Sequence, residues 1–282
     1  MSEGEAVRPA EAEQGSRNLR TRVAAAAILA PLAVALAYAG GWFWAALVLL
    51  AAVGLYVEWL TVVGARTPAM VAAGIASLCG ACWIEVARLG AAYVVDLVVL
   101  GVAAAALLAP KRRGWAALGS IYASAALIAS LAVRADQAWG FAALMFVMLV
   151  VWVTDIGGYF AGRSIGGPKL WPRVSPRKTW AGAIGGSMAG LAVAAGFAGF
   201  SLGKTGPLLL LGGILSIVSQ LGDLFESAVK RRFGVKDSSH IIPGHGGLMD
   251  RLDGFVAAIA LAAILGFLRG GADGVGRGLM VW

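Results

Sequence analysis

Ionisable side chains are concentrated in one segment of this chain, between Asp223 and Asp253. The segment holds five acidic residues, five basic residues and both histidines of the protein. The rest of the sequence is mostly apolar, since 60% of all residues are hydrophobic and only 13% are charged. Charged groups at or near membrane depth are costly, so such a cluster predicts a functional site.

Four polar residues of this segment recur at helical spacing: Asp223, Glu226, Ser227 and Lys230. Steps of three and four residues put them on one face of a helix. A polar face at the end of an apolar helix must contact a water-filled cavity or polar partners rather than lipid. A surface ion pair between Glu226 and Lys230 is the alternative, but it leaves Asp223 without a partner.

The glycine-rich loop that follows combines groups that bind phosphates with groups that bind metals. Glycines on both sides of His245 allow close backbone approach to a ligand, and their N–H groups suit phosphate oxygens. Asp250 and Asp253 are hard oxygen donors, and with Asp223 they could hold Mg²⁺ together with substrate phosphates. As a unit, these residues predict a metal-and-phosphate loop.

A second cluster lies upstream, where Asp155, Tyr159 and Arg163 share one face of a predicted helix. Gly158 and Gly162 on the same face indicate either a ligand site or close packing of two helices. The loop that follows carries Ser175-Pro-Arg-Lys-Thr179, in which cations and hydroxyls precede another helix. This pattern fits a phosphate cradle, and a solvated basic loop explains it equally well.

The elements that must position these residues are transmembrane helices. A mean hydropathy of +0.81 and recurring apolar stretches, each long enough to cross about 30 Å of hydrocarbon, predict an all-α polytopic membrane protein. The predicted spans number about nine: 23–39, 42–63, 69–86, 91–109, 115–133, 138–160, 180–202, 207–229 and 254–269. We expect residues 1–22 to be a cytoplasmic N-terminal tail, 23–137 a transmembrane scaffold, and 138–282 a catalytic transmembrane region.

The distribution of basic residues predicts the orientation of the spans. With the N-terminus in the cytoplasm, 18 of the 23 Lys and Arg residues fall on the inner side and five on the outer side. Both long polar loops, 162–179 and 230–254, then face the cytoplasm. The net charge of +8 is therefore a feature of membrane loops, and it suits anionic headgroups or phosphorylated substrates rather than nucleic acid.

Carboxylates for a metal and cations for phosphates, presented at one membrane face, predict phosphoryl or nucleotidyl transfer. In such reactions, positioning and charge neutralisation provide most of the catalysis. An ion-coupled transporter is the alternative from a different class. It would require broken spans in two matching halves, and the sequence shows no such repeat.

The chain resembles the phosphatidate cytidylyltransferases, or CDP-diacylglycerol synthases, over about residues 150–255. The first half matches only as a hydrophobic scaffold. The blocks that carry the resemblance are Ser227-Ala-Val-Lys230-Arg231 with Lys236-Asp237, His245-Gly-Gly-Leu-Met-Asp250-Arg251-Leu-Asp253, Asp155-Ile-Gly-Gly-Tyr159-Phe-Ala-Gly-Arg163, Ser175-Pro-Arg-Lys-Thr179 and Gly222-Asp223-Leu-Phe-Glu226-Ser227.

The resemblance implies that CTP and phosphatidate react to give CDP-diacylglycerol and pyrophosphate, with Mg²⁺ as cofactor. It also implies a homodimer in a bacterial-type inner membrane, with membrane lipids as partners, and it leaves open a monovalent cation such as K⁺. The implied catalytic residues are Lys178, Ser227, Lys230, Arg231, Lys236, His245 and Arg251. The implied substrate-binding residues are Tyr159, Arg163, Ser175, Arg177, Thr179, Gly246 and Gly247. The implied metal ligands are Asp155, Asp223, Glu226, Asp250 and Asp253.

One position departs from the family pattern. The family usually continues the serine–proline block with Trp-Glu-Gly, whereas this chain has Trp180-Ala181-Gly182. Enough carboxylates remain to hold Mg²⁺, so we expect a working enzyme. A transferase that acts on an isoprenoid lipid would carry similar loop motifs and is the alternative within this chemistry.

Overall fold

The computed structural model describes residues 27–239 and 246–282. Within these residues, eight helices are long and apolar enough to cross a membrane, and a ninth apolar helix is shorter. The helices are α1 (Ala27–Ala39), α2 (Gly41–Val62), α3 (Pro68–Val86), α4 (Ala91–Leu108), α5 (Arg113–Ala135), α6 (Gly140–Ile165), α7 (Trp180–Gly199), α8 (Thr205–Arg232) and α9 (Met249–Gly270), followed by a 3₁₀ turn (Ala272–Gly274) and the short helix α10 (Val275–Met280).

The predicted all-α membrane architecture is confirmed, and large apolar side chains such as Val99, Leu107 and Ile184 are exposed on outward faces, where they suit lipid. The N-terminal tail, residues 1–22, lies outside the described part of the chain. The sequence prediction did not include the helix α10.

The helices near the candidate site are longer than their apolar stretches. Helix α6 runs to Ile165 rather than 160, so Arg163 lies on the same helix as Asp155 and Tyr159, as their spacing predicted. Helix α9 begins at Met249 rather than 254, so Asp250 and Asp253 are also helical. These boundaries were wrong because hydropathy ends a span where polar residues begin. Backbone hydrogen bonding continues wherever those polar side chains face the protein interior.

The polar segment between α6 and α7 contains a small antiparallel hairpin, of strands β1 (Lys169–Trp171) and β2 (Ser175–Thr179). The sequence analysis treated this segment as a loop. Helix α7 follows β2 directly, and the side chain of Thr179 accepts a hydrogen bond from the Gly182 N–H at 3.1 Å. Thr179 is therefore the N-cap that ends the hairpin and starts the helix.

Helices α6 and α7 pack with their backbones in contact. A Cβ atom added to Gly182 would lie 2.9 Å from the carbonyl oxygen of Gly158 and 3.3 Å from the Cα atom of Gly162. Small residues allow this approach between membrane helices. Of the two interpretations of Gly158 and Gly162, close helix packing is confirmed.

Among the described residues, basic side chains that the orientation prediction separated lie at opposite ends of the molecule. At the end where α8 finishes, the Arg112 guanidinium lies 5.2 Å from the centre of the Phe233 ring. At the other end, Arg134 donates to the Ala37 carbonyl at 2.5 Å and Arg88 donates to the Ala135 carbonyl at 3.2 Å. The turn that contains Lys111 and Arg112, and Arg113 at the start of α5, therefore lie at the same end as the candidate site.

This arrangement predicts that single cysteines at positions 112 and 204 are labelled from opposite sides of the membrane. Arg112 and Lys204 are both exposed, and they lie in turns at opposite ends of the helices. The measurement is labelling by a membrane-impermeant maleimide before and after permeabilisation, with Cys79 and Cys82 replaced by alanine. Labelling of both positions from the same side contradicts the fold described here.

Candidate active site

A cavity of about 940 Å³ opens where α6, β2, α7, α8 and α9 meet. It contains most of the charged residues that the sequence analysis singled out. Its lining residues are Thr154, Asp155, Gly158, Tyr159, Gly162, Arg163, Leu170, Arg177, Lys178, Thr179, Gly182, Ala183, Gln220, Asp223, Lys230, Asp250, Arg251 and Asp253. Three separate sequence clusters therefore meet in one site.

Some of the implied site residues are not part of this lining. They are Ser175, Glu226, Ser227, Arg231, Lys236, Gly246 and Gly247. Three of them contact a lining residue: Ser227 Oγ lies 3.4 Å from Asp223 Oδ1, Glu226 pairs with Lys230, and Gly247 donates its N–H to Asp250. His245 lies outside the described residues.

Lys230 joins α8 to α9 through two ion pairs. Its Nζ atom lies 2.8 Å from Glu226 Oε2 on its own helix and 2.5 Å from Asp250 Oδ1 on α9. The Glu226–Lys230 pair exists, but it is not the surface pair of the alternative interpretation, because Glu226 is only 1% exposed. A buried ammonium group shared by two carboxylates keeps the ends of both helices in a fixed relation.

Asp250 is held by donors on both of its oxygens. In addition to Lys230, which contacts Oδ1, its Oδ2 accepts hydrogen bonds from the Ser238 N–H at 3.1 Å, the Ser238 hydroxyl at 3.0 Å and the Gly247 N–H at 2.9 Å. The carboxylate therefore has a defined orientation at the wall of the cavity. Sequence reasoning missed Ser238, which has no signal beyond its place in the polar loop.

Asp223, on the polar face of α8, pairs with a residue of the hairpin. Lys178, near the end of β2, contacts Asp223 Oδ2 at 2.5 Å. On α6, the Arg163 guanidinium donates to the Tyr159 hydroxyl at 3.2 Å. The hairpin and α6 thus bring basic groups to a cavity whose acidic groups come mainly from α8 and α9.

The cavity is nearly balanced in charge before any ligand binds. Five cationic side chains line it (Arg163, Arg177, Lys178, Lys230 and Arg251), together with four carboxylates (Asp155, Asp223, Asp250 and Asp253). This lining carries one net positive charge when all are ionised. Substrates with several phosphate charges would therefore need additional cations in the same space.

The donor set fits Mg²⁺ in its chemistry. Carboxylate oxygens are the protein ligands that this ion prefers, usually a few of them combined with water and substrate phosphates. Glu226 Oε1 is buried and has no hydrogen-bond donor among the described residues, so it retains an available acceptor. Residues 27–239 and 246–282 contain no preformed group of three or more such ligands, so substrate oxygens would have to complete the site.

Thr154 and Gln220 also line the cavity, although the sequence analysis did not single them out. The Gln220 side-chain amide donates to the Ala183 carbonyl at 3.3 Å and to the Ser187 hydroxyl at 3.1 Å. Thr154 donates to the Ser216 hydroxyl at 2.9 Å. Glutamine and serine within apolar helices are a signal that could have pointed to this region.

Comparison with known proteins agrees with the motifs. A profile described as the Cytidylyltransferase family matches residues 20–268. A protein named phosphatidate cytidylyltransferase from Brucella suis biovar 1 (strain 1330) is 41% identical over 261 residues, which cover 88% of this chain and 93% of the relative. A protein of the same name from Staphylococcus haemolyticus (strain JCSC1435) is 50% identical over 125 residues, which cover 43% of this chain and 48% of the relative.

The packing around Asp250 predicts that Gly247→Ala destabilises the protein. The added methyl group would clash with Ser238 Oγ and would lie 2.8 Å from Glu58 Oε2. Overpacking of this kind costs about 1–3 kcal/mol, so we expect a lower midpoint of thermal unfolding. Gly206→Ala is the matched control, since its methyl group meets nothing within 4 Å. Equal unfolding midpoints for the two variants would show that residue 247 is not tightly enclosed.

Proposed function

This chain belongs to the cytidylyltransferase family, and we infer that it makes CDP-diacylglycerol and pyrophosphate from CTP and phosphatidate. Two findings support this inference, one from sequence comparison and one from the structure. A relative named for this activity matches the chain over nearly its whole length, and the matching motifs converge on one charged cavity. The protein is an integral membrane protein, as its apolar helices indicate.

The reaction forms one phosphorus–oxygen bond and breaks another. An oxygen of the phosphatidate phosphate attacks the α-phosphorus of CTP. The bond from that phosphorus to the oxygen bridging the β-phosphorus breaks, and pyrophosphate leaves with the electron pair. Because a phosphate monoester is already anionic near neutral pH, the attacking oxygen does not need a strong general base.

The basic residues of the cavity bind and orient the phosphates in this proposal. Lys178 and Lys230 are held at the cavity wall by carboxylates, so each ammonium group stays where a phosphate oxygen can accept a hydrogen bond. Arg163, Arg177 and Arg251 line the same space. Guanidinium groups donate two parallel hydrogen bonds to phosphate, which fixes direction as well as charge.

We propose that Asp155, Asp223, Glu226, Asp250 and Asp253 provide the ligands for Mg²⁺. When bound, Mg²⁺ neutralises phosphate charge and stabilises the charge that moves onto the leaving pyrophosphate. Asp250 is already oriented by Lys230, Ser238 and Gly247. The remaining acidic groups lie in or beside the same cavity.

The two alternatives have less support. Transfer to an isoprenoid lipid would use a similar set of charges, but the relatives that cover most of this chain are named for phosphatidate. An ion-coupled transporter is disfavoured by the same relatives. The discriminating assay uses purified protein with radiolabelled CTP and Mg²⁺, and compares phosphatidate with polyprenyl phosphate as acceptor. A lipid product only from the polyprenyl acceptor would overturn the proposal.

We further propose that the cavity faces the cytoplasm of a bacterial-type inner membrane, with the N-terminus also inside, and that the protein is a homodimer. The orientation rests on the separation of basic residues between the two ends of the molecule. Position 112 is then the inner of the two labelling sites and position 204 the outer. The homodimer rests on the family resemblance alone and is tested by the mass of the purified protein in detergent.

The carboxylate assignment predicts that Asp223→Asn and Asp250→Asn each lower kcat at least about hundredfold, or roughly 2.7 kcal/mol. Asparagine keeps the volume and removes the negative charge that the cation requires. The measurement is turnover at saturating CTP and Mg²⁺, with the elution profile in detergent as the check on folding. Asp273→Asn is the control, because Asp273 is exposed at the opposite end of the molecule. Near wild-type turnover of Asp250→Asn would refute the assignment.

The structure also shows the surroundings of Ala181, which stands where the family pattern has glutamate. Ala181 lies in the first turn of α7 and outside the lining of the cavity, although its neighbours Gly182 and Ala183 belong to that lining. We therefore expect Ala181→Glu to change kcat/KM by less than about tenfold, or roughly 1.4 kcal/mol. A wild-type chain that is inert with CTP and phosphatidate, and that Ala181→Glu activates, would contradict this expectation.

A further inference from the structure

Glu58 of α2 makes an unusual set of contacts for a residue in the N-terminal half of the chain. It is 1% exposed, and four donors from the segment before α9 and from the first residue of α9 lie within hydrogen-bond distance of its two oxygens. The donors are the Leu248 N–H at 2.9 Å, the Met249 N–H at 2.7 Å, the Ser239 hydroxyl at 2.5 Å and the Ser238 hydroxyl at 3.1 Å. A buried carboxylate with this many donors holds its partners in place.

Two of these donors belong to the start of α9, whose own N-cap residue provides no side-chain cap. The N-cap position is Leu248, whose apolar side chain makes no capping hydrogen bond. The free N–H groups at a helix start need acceptors, and negative charge is favourable there. Glu58, on helix α2, provides both the acceptor oxygens and the negative charge.

The surface of α2 fits the start of α9 closely. Gly54 lies one helical turn before Glu58, and a Cβ atom there would be 2.7 Å from the Leu248 side chain. Gly247 is equally confined, between Ser238 and Glu58. The hydrogen bonds to Glu58 and the fit of Leu248 against Gly54 therefore act on the same few residues, so this part of the site has little freedom to shift.

The same network reaches Asp250. The Ser238 hydroxyl lies 3.1 Å from Glu58 Oε2 and 3.0 Å from Asp250 Oδ2. A hydroxyl has one proton, so it donates to one of the two carboxylates at a time. Ser238 thus links the carboxylate on α2 with the one that borders the cavity, and Lys230 contacts that second carboxylate from α8.

We propose that Glu58 is a positioning residue for this reaction: it fixes the start of α9 and thereby the orientation of Asp250 and Arg251 in the cavity. The inference rests on the proposed function, because the effect on catalysis is expected for CTP and phosphatidate. It extends the active-site machinery into the N-terminal half, since Glu58 acts through Leu248, Met249 and Ser238 without touching substrate.

The chain offers a matched control at its other end. Asp136 is also a buried carboxylate that caps a helix: it accepts from the Ala138 N–H at 3.0 Å, the Trp139 N–H at 2.9 Å and the Arg277 N–H at 2.8 Å. It lies far from the cavity, at the start of α6. A purely structural role for Glu58 predicts that the two residues behave alike when their charge is removed.

The test compares Glu58→Gln with Asp136→Asn in two measurements. The first is hydrogen–deuterium exchange of the ligand-free protein, followed in peptides that cover residues 246–252 and 138–142. We expect Glu58→Gln to raise exchange at amides 248 and 249 by at least about tenfold and to leave 138–142 unchanged, with the reverse for Asp136→Asn.

The second measurement is steady-state kinetics with CTP, phosphatidate and varied Mg²⁺. We expect Glu58→Gln to lower kcat/KM by at least about tenfold and to raise the half-maximal Mg²⁺ concentration, while Asp136→Asn stays within about threefold on both. Loss of protection at 248 and 249 with wild-type kinetics would overturn the proposal. Equal kinetic losses in the two variants at equal loss of thermal stability would overturn it as well.

A second variant covers the case in which Glu58→Gln does not fold. Ser238→Ala keeps Glu58 and removes only the shared hydroxyl, so kcat/KM lowered by about threefold or more at an unchanged unfolding midpoint supports the proposal. Unchanged kinetics would refute it. If the wild-type protein lacks the proposed activity, exchange at amides 248 and 249 alone decides whether Glu58 holds the start of α9.

Discussion

The candidate site depends on one interaction, the contact of the Lys230 ammonium group with Glu226 and Asp250. Burial makes each of these three charges unfavourable alone, and together they offset one another. Asp250 belongs to α9, and the other two residues belong to α8. Separation of the helices at this end would therefore leave the Asp250 carboxylate without its ion pair to Lys230. Asp223, two turns earlier on α8, pairs with Lys178 from the hairpin in the same manner. Ion pairs between elements therefore set the shape of the cavity before any substrate binds.

The opposite wall of the cavity is built from backbone rather than from charge. Gly158 on α6 and Gly182 on α7 line the cavity and also pack against each other. A side chain at either position would push the two helices apart and fill the space that a substrate needs. The glycines of α6 had two interpretations, a ligand site or close helix packing. Both fit, because the close packing of α6 and α7 forms this wall of the cavity.

Sequence patterns predicted the spans and most of the cavity because both follow from local periodicity. A helical period of 3.6 residues places Asp223 and Lys230 on one face whatever the rest of the fold does. The hairpin was missed because residues 169–179 lack the apolar alternation that predicts strands. The start of α9 was placed too late, since Asp250 and Asp253 lower the hydropathy of a turn that is nonetheless helical.

Glu58 shows why the remainder could not be predicted from the sequence. Its neighbours in the chain are apolar, and its partners lie 180 to 191 residues away. Nothing in the local sequence indicates which part of the chain it contacts. In the fold, the same glutamate provides the acceptor that Leu248 cannot provide for its own helix. The division of the chain into a scaffold and a catalytic region therefore describes where the charged motifs lie. The arrangement of the site residues depends on contacts between the two regions. The N-cap residue of α9 provides no side-chain acceptor, so the acceptor for this helix start comes from α2.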